Sequence, residues 1–169
     1  MKVFMEKQWE MATSLGTFYL LASASGLSAV GFKKFDIEFI SSLTSLDAQA
    51  VYLNQAVQQI SEYLQGVRKE FNLTLDFHGT PFQKKVWQQL AYIPYGETRS
   101  YKEIAFKINQ PDAVRAVGTA NGKNPLCLVI PCHRVISSDG SLGGYSGGLL
   151  LKNKLLQIEK SLSEQNLTF

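Results

Sequence analysis

Two four-residue strings constrain the second half of this chain more than any other feature. Thr80-Pro81-Phe82-Gln83 and Ser100-Tyr101-Lys102-Glu103 each place a hydroxyl three residues before a side chain that can reach back to the backbone. That reciprocal arrangement satisfies orphan N–H groups at a helix start, and Pro81 is preset for the first helical position. Phe82, Val86 and Leu90 share one face of the first helix, and the second buries Ile104 and Ile108. Pro94-Tyr95-Gly96 ends the first helix in a turn. Pro111-Asp112 opens a third helix, with Gly122 as its stop. Three short helices with tight connections match a helix-turn-helix unit.

Around this unit the pattern changes. Leu126 to Ile130 reads as a buried strand stopped by Pro131. Val135-Ile136 followed by Asp139-Gly140 predicts a hairpin or wing. A last helix is expected to bury Leu151, Leu155, Ile158 and Leu162. In the first half, Thr17 to Ser23 and Leu27 to Phe32 form a hairpin across Ala24-Ser25-Gly26. Asp47 opens a long amphipathic helix whose buried stripe is Leu53, Val57, Ile60, Leu64 and Val67. Leu73, Leu75 and Phe77 alternate with polar residues as a short strand. A boundary near His78-Gly79 divides the chain into domains 1–77 and 78–169.

With 45% hydrophobic and 18% charged residues among 169, the composition is that of a folded chain. The longest apolar stretch, Thr17 to Ala22 with its extension to Val30, is too short to cross a bilayer and is broken by Ser23, Ser25 and Gly26. Met1 to Met11 lacks the apolar core of a signal peptide, so a cytoplasmic location is expected, or a nuclear one in a eukaryote. The net charge of +3 permits nucleic-acid binding without demanding it. Cys127, Cys132, His78 and His133 show no CxxC or HxxxH spacing, and no metal site is expected.

The sharpest local feature is Ile130-Pro131-Cys132-His133-Arg134-Val135. It places a cysteine at the end of an apolar run with a base and a cation beside it. The thiolate is the reactive form, and neighbouring positive charge lowers a thiol pKa from about 8.5. On these residues alone a buried structural cysteine is the more ordinary reading. The third helix is unusual in another way. Val114, Val117 and Asn121 share one face, Ala113, Ala116 and Ala120 the next, and Gly118 lies close by. A major-groove reader carries Arg, Asn or Gln at such positions. A small, featureless face suits close approach to a minor groove of any sequence. Tight helix packing fits the spacing as well.

The string PCHRV resembles the active-site signature of the methylated-DNA–protein-cysteine methyltransferases, also called O6-alkylguanine-DNA alkyltransferases. The resemblance continues through Gly79-Thr80-Pro81-Phe82-Gln83 with Val86-Trp87, Pro94-Tyr95-Gly96-Glu97, Ser100-Tyr101, Arg115-Ala116-Val117-Gly118, Asn121-Gly122, Asn124-Pro125 and Tyr145-Ser146-Gly147-Gly148, in order. It spans about half the chain, from Gly79 to roughly Glu159. It implies an α/β N-terminal domain, a ribonuclease-H-like sheet plus helix, followed by a mainly α winged-helix-like DNA-binding domain.

The family's roles carry over by position. Cys132 is expected to accept the alkyl group, His133 to take the thiol proton through a water, and Glu159 to orient His133. Asn124 is expected to tie the helices to the active-site segment. Arg115 would fill the gap left by a flipped nucleotide, and Tyr101 would crowd the adjacent phosphate and hydrogen-bond the base. Tyr145 and Ser146 would line the pocket, with Ser146 near O6, and the Val135 carbonyl would take the exocyclic amine. Ala113, Ala116, Gly118 and Ala120 would lie along the DNA. No cofactor is implied, because the lesion is the alkyl donor. The expected partner is duplex DNA bearing alkylated guanine, with O4-alkylthymine left open, and the protein is expected to be a monomer.

Two alternatives have their own signatures. A non-catalytic lesion binder lacks the acceptor cysteine, whereas Cys132 is present. A winged-helix regulator displays base-reading side chains on its third helix, and this chain does not.

Overall fold

The computed structural model describes residues 6–44 and 46–165, with side chains as far as Lys160. Part of the Met1–Met11 segment and the Leu162 side chain therefore lie outside the described residues. The chain divides into two units, Met1–His78 and Gly79–Phe169.

The first unit is an antiparallel meander with one helix. Strands β1 (Lys7–Thr13), β2 (Gly16–Ala22) and β3 (Leu27–Gly31) pair in chain order. Phe18, Leu20 and Ala22 alternate onto one buried face of β2, as a period of two requires. Helix α1 (Ala48–Leu64) packs on this sheet. The expected hairpin is β2–β3. Strand β1 goes beyond the sequence reading, because Glu10 and Thr13 interrupt its apolar pattern. The buried Gln8 amide holds the following loop at the β1 edge, donating to Phe35 O at 2.8 Å and accepting from Phe35 N at 3.3 Å.

Two expectations for this unit are corrected. The buried stripe of α1 is Ala50, Leu53, Ala56, Ile60 and Tyr63, whereas Val57 and Leu64 are partly exposed and Val67 lies beyond the helix in solvent. A helix crossing a sheet closely places small residues at the contact, so alanines take positions that a stripe of large apolar residues would assign elsewhere. Leu73 to Phe77 is no strand. It keeps one parallel bridge, Leu27 to Leu75, with Leu27 N donating to Thr74 O and Asp76 N to Leu27 O, both 2.9 Å. Gly26 permits this approach, since a Cβ there would stand 2.7 Å from Thr74 O.

In the second unit the capping boxes behave as the sequence predicts. Thr80 Oγ1 accepts from Gln83 N at 3.2 Å while Gln83 Oε1 accepts from Thr80 N at 2.9 Å, opening α2 (Pro81–Ala91). Ser100 and Glu103 do the same for α3 (Tyr101–Lys107), directly after the short β4 (Arg99–Ser100). Helix α4 (Val114–Gly122) begins at Val114, later than Pro111-Asp112 implied, and Ala113 at its N-cap offers no side-chain bond. The Trp87 indole donates to Ala120 O at 2.8 Å and ties α2 to α4.

Three further expectations are corrected here. Leu126 to Ile130 is a compact turn, with Ile130 N donating to Leu126 O at 2.9 Å and Leu128 at φ +71°. A short apolar run is equally compatible with strand and buried turn, and side-chain hydrogen bonds decided between them. The segment leads through Pro131 into a 3₁₀ turn, Cys132–Arg134, and then β5 (Val135–Ile136), which pairs in parallel with β4. The turn signalled by Asp139-Gly140 is present, closed by Ser137 N to Ser141 O at 2.8 Å, but β5 pairs with β4 and with no strand returning from that turn. Finally, α5 (Leu149–Gln165) turns Lys152, Leu155 and Glu159 inward, leaving Leu151 and Ile158 partly exposed. Hydrogen bonds to the two charged side chains compensate their burial.

Candidate active site

Asn124 builds the local scaffold. Its Oδ1 accepts from Leu126 N at 3.0 Å and its Nδ2 donates to Ile130 O at 2.8 Å. One buried amide thus bridges the turn that the missing strand would have occupied. The backbone of Cys132 is fixed next, with its N–H donating to Ile130 O at 2.7 Å and its carbonyl accepting from Asn121 Nδ2 of α4 at 3.4 Å.

Cys132 is 2% exposed. Interaction with the neighbouring Cys127 thiol, together with burial, pushes its pKa well up, opposed by Asn124 and the distant charge of Lys152. The sequence reading placed a cation beside this sulfur to lower its pKa. The structure corrects that picture, because Arg134 turns to Glu159. A thiol that stays protonated at rest needs a base at the moment of reaction.

His133, the next residue of the 3₁₀ turn, has the properties of such a base. Its Nε2 lies 2.7 Å from Glu159 Oε1, and both side chains are fully buried. Burial lowers the imidazole pKa, against the opposing pull of Glu159. Burial raises the Glu159 carboxyl, but bonds to His133 and Arg134 outweigh it and bring the pKa down to about 2. An ionised carboxylate only accepts, so Nε2 carries the hydrogen and Nδ1 is the basic nitrogen of a neutral ring. Glu159 also accepts from Arg134 Nε and Nη2 at 3.0–3.1 Å and from Gly96 N at 3.1 Å.

Tyr101, at the start of α3, is half-buried. Burial raises its hydroxyl pKa, against a backbone bond with Gly144. Its ring lies over Gly118 of α4 and its hydroxyl against Gly143, where a Cβ would come within 2.8 Å. The Gly143–Ser146 loop is held from beneath by Lys152, whose ammonium donates to Val135 O at 2.5 Å, to Leu142 O and to Gly144 O at 3.3 Å. Ser146 Oγ meets Cys127 Sγ at 3.4 Å, and the Tyr145 ring stands edge-on to His133. Tyr101, Val135, Tyr145 and Ser146 therefore gather around the Cys132–His133 turn. A cavity of about 590 Å³ elsewhere in this unit, lined by Gln89, Tyr92, Ile93, Ser100, Glu103 and Phe106, contains none of the expected catalytic or base-binding residues.

On α4, Arg115 and Ala116 are exposed, and Ala113 and Gly118 are half-buried. Ala120 is corrected: at 2% exposure, with its carbonyl taken by Trp87, it belongs to the helix-packing face and offers no surface to DNA.

A family model for the 6-O-methylguanine DNA methyltransferase DNA-binding domain matches residues 81–161, and one for the ribonuclease-like domain of the same proteins matches residues 10–77. A protein of Bacillus subtilis named as an inducible methylated-DNA–protein-cysteine methyltransferase is 43% identical, over 88% of this chain and 87% of its own. One of Mycobacterium tuberculosis with the same name, without "inducible", is 53% identical over 67% of this chain and 68% of its own. The chain belongs to this methyltransferase family. The solved O6-methylguanine methyltransferase of M. tuberculosis superposes with a TM-score of 0.82 at 38% identity, covering 93% of this chain and 94% of that one. The same organism's OGT protein in complex with DNA gives 0.80 at 38%, with 93% of each chain covered. This methyltransferase therefore combines a ribonuclease-like N-terminal domain with a DNA-binding one.

Sequence reasoning passed over three contributors in the site. Arg134 and Asn121 lie within the matched motif strings but carry no site role in that reading, and Lys152 is not named. A lysine or glutamate on the inward register of an otherwise apolar helix, 152 and 159 flanking Leu155, was the available signal. Among the described residues no helix is long and apolar enough to cross a membrane.

Proposed function

We propose that this protein repairs DNA by direct reversal, moving an alkyl group from O6 of guanine in duplex DNA onto Cys132. The observation that carries the reading is the fully buried His133–Glu159 contact of 2.7 Å, which joins the Cys132 turn to α5. His133 takes the thiol proton through a water, the sulfur attacks the alkyl carbon, the carbon–oxygen bond breaks and a carbon–sulfur bond forms. In net terms the thiol proton replaces the alkyl group on guanine. Tyr101 and Arg115 open the duplex, and Tyr145, Ser146 and the Val135 carbonyl hold the flipped base. That carbonyl already accepts from Lys152, and its second lone pair serves the guanine amine. Arg115, Ala116, Ala113 and Gly118 meet the DNA. The protein acts as a monomer and needs no cofactor.

Cys132 becomes a thioether, which has no leaving group for His133 to expel, so each molecule acts once. Mass spectrometry after mixing with O6-methylguanine duplex tests this. One methyl per chain, on the Cys132 peptide, is the expected result, and Cys132→Ser should bind DNA without clearing the lesion. Modification of Cys127, or repair continuing past one lesion per molecule, would refute the assignment.

A further inference from the structure

Arg134 is more deeply engaged than a motif neighbour needs to be. Its Nε and Nη2 contact the same Glu159 carboxylate that orients His133, and its Nη1 donates to Ile93 O at 2.6 Å. Its guanidinium also lies 5.6 Å from the centre of the Tyr95 ring. The side chain is 7% exposed, so water competes little for these bonds.

The charge count gives this arrangement a consequence. A buried carboxylate with an imidazole as its only cationic partner favours transfer of a proton to the ring, because the imidazolium–carboxylate pair is neutral overall. An imidazolium cannot accept a second proton. With Arg134 present the carboxylate charge is already balanced, and protonating His133 would leave one uncompensated positive charge in a dry site. The other charged group facing the ring is Lys152 of α5, which acts in the same direction, while Cys132 and Tyr145 are neutral neighbours at rest.

We propose that Arg134 is a positioning residue for alkyl transfer: by sharing Glu159 with His133 it keeps the imidazole neutral and able to accept the Cys132 proton. Glu159 then orients the ring without converting it to a permanent cation. The direction of the His133 shift agrees, with burial first and Arg134 among the groups lowering it. The inference rests on reading His133 as the base, and the experiment separates the two.

The test is the pH profile of transfer from free O6-benzylguanine, paired with an NMR titration of the His133 ring, in the parent, Arg134→Lys and Arg134→Met. In the parent, the acid limb of the rate should follow the ring's midpoint, below the ordinary value of about 6.5. In Arg134→Met both should move up together by about one pH unit or more, with the rate recovering at higher pH. Arg134→Lys keeps the charge and should stay near the parent. A folded Arg134→Met with an unmoved midpoint and a rate lowered equally at every pH would reduce Arg134 to a structural role and overturn the proposal. If Arg134→Met does not fold, a parent midpoint above about 6.5, or an Arg134→Lys midpoint raised as far as expected for Met, overturns it instead. Failure of the underlying reading looks different: the parent's acid limb would not track His133 at all.

Discussion

Replacing Glu159 by Gln removes one charge and almost no volume from a fully buried site. The carboxylate accepts from His133, from two nitrogens of Arg134 and from Gly96 N. Its pKa falls from 4.5 to about 2 on folding. That difference corresponds to about 3 kcal/mol of stability, at roughly 1.4 kcal/mol per unit. Breaking a buried ion pair from one side costs a similar ~3–5 kcal/mol, because Arg134 would be left buried and unbalanced. The sign follows from the depressed folded value. The contribution is complete above the unfolded pKa and is lost as pH falls from about 4.5 through 2. Urea unfolding across this range measures it, with Trp9→Phe as background so that the buried Trp87 alone reports. The parent should exceed Glu159→Gln by about 3 kcal/mol near neutral pH, and the gap should close in acid. A neutral-pH gap under about 1 kcal/mol, or one that persists unchanged at low pH, would refute the assignment of this carboxylate as an ionised hub.

Asn124→Ala removes both bonds of the turn before Cys132 and leaves Leu126 N and Ile130 O buried, so a loss of about 2–4 kcal/mol is expected from denaturant titration; a loss under about half a kcal/mol would show that the turn holds itself. Gly143→Ala adds a methyl 2.8 Å from the Tyr101 hydroxyl at φ +64° and should cost about 1–2 kcal/mol in stability and slow transfer to duplex and free base alike. Parental stability and rates in that variant would mean that Tyr101 is not held by this loop. Arg115→Ala alters an exposed side chain and should leave stability within about 0.5 kcal/mol of the parent. Kinetically it should slow repair of duplex lesions more than transfer from free O6-benzylguanine, which needs no flipping; equal losses would count against insertion into the duplex.

Local chemistry was legible in the chain. The capping boxes at Thr80 and Ser100 formed as read, because their partners lie three residues away and need no tertiary help. The β2–β3 hairpin and the approximate position of α1 followed from short-range pattern in the same way. Cys132, His133, Tyr101, Val135, Tyr145 and Ser146 were named from motif resemblance, and each lies in or beside the Cys132–His133 turn. What the sequence could not express was anything requiring a partner from far along the chain. Leu126 to Ile130 is the local exception, carrying the apolarity of a strand while the nearby Asn124 amide bonds Leu126 N and Ile130 O and makes a buried turn the better solution. The inward face of α5 looked like a row of leucines and isoleucines, but Glu159 found Arg134 and His133, and Lys152 found three carbonyls. Ala120 looked like part of an outer face until the Trp87 indole took its carbonyl. The proximity of Arg134 to Cys132 in sequence hid its real direction, toward a carboxylate 25 residues away. Sequence determined the reactive groups and the helix starts, because those are properties of single residues and nearest neighbours. Tertiary structure decided which charges meet, because a buried ion is tolerated only where a distant partner arrives to balance it.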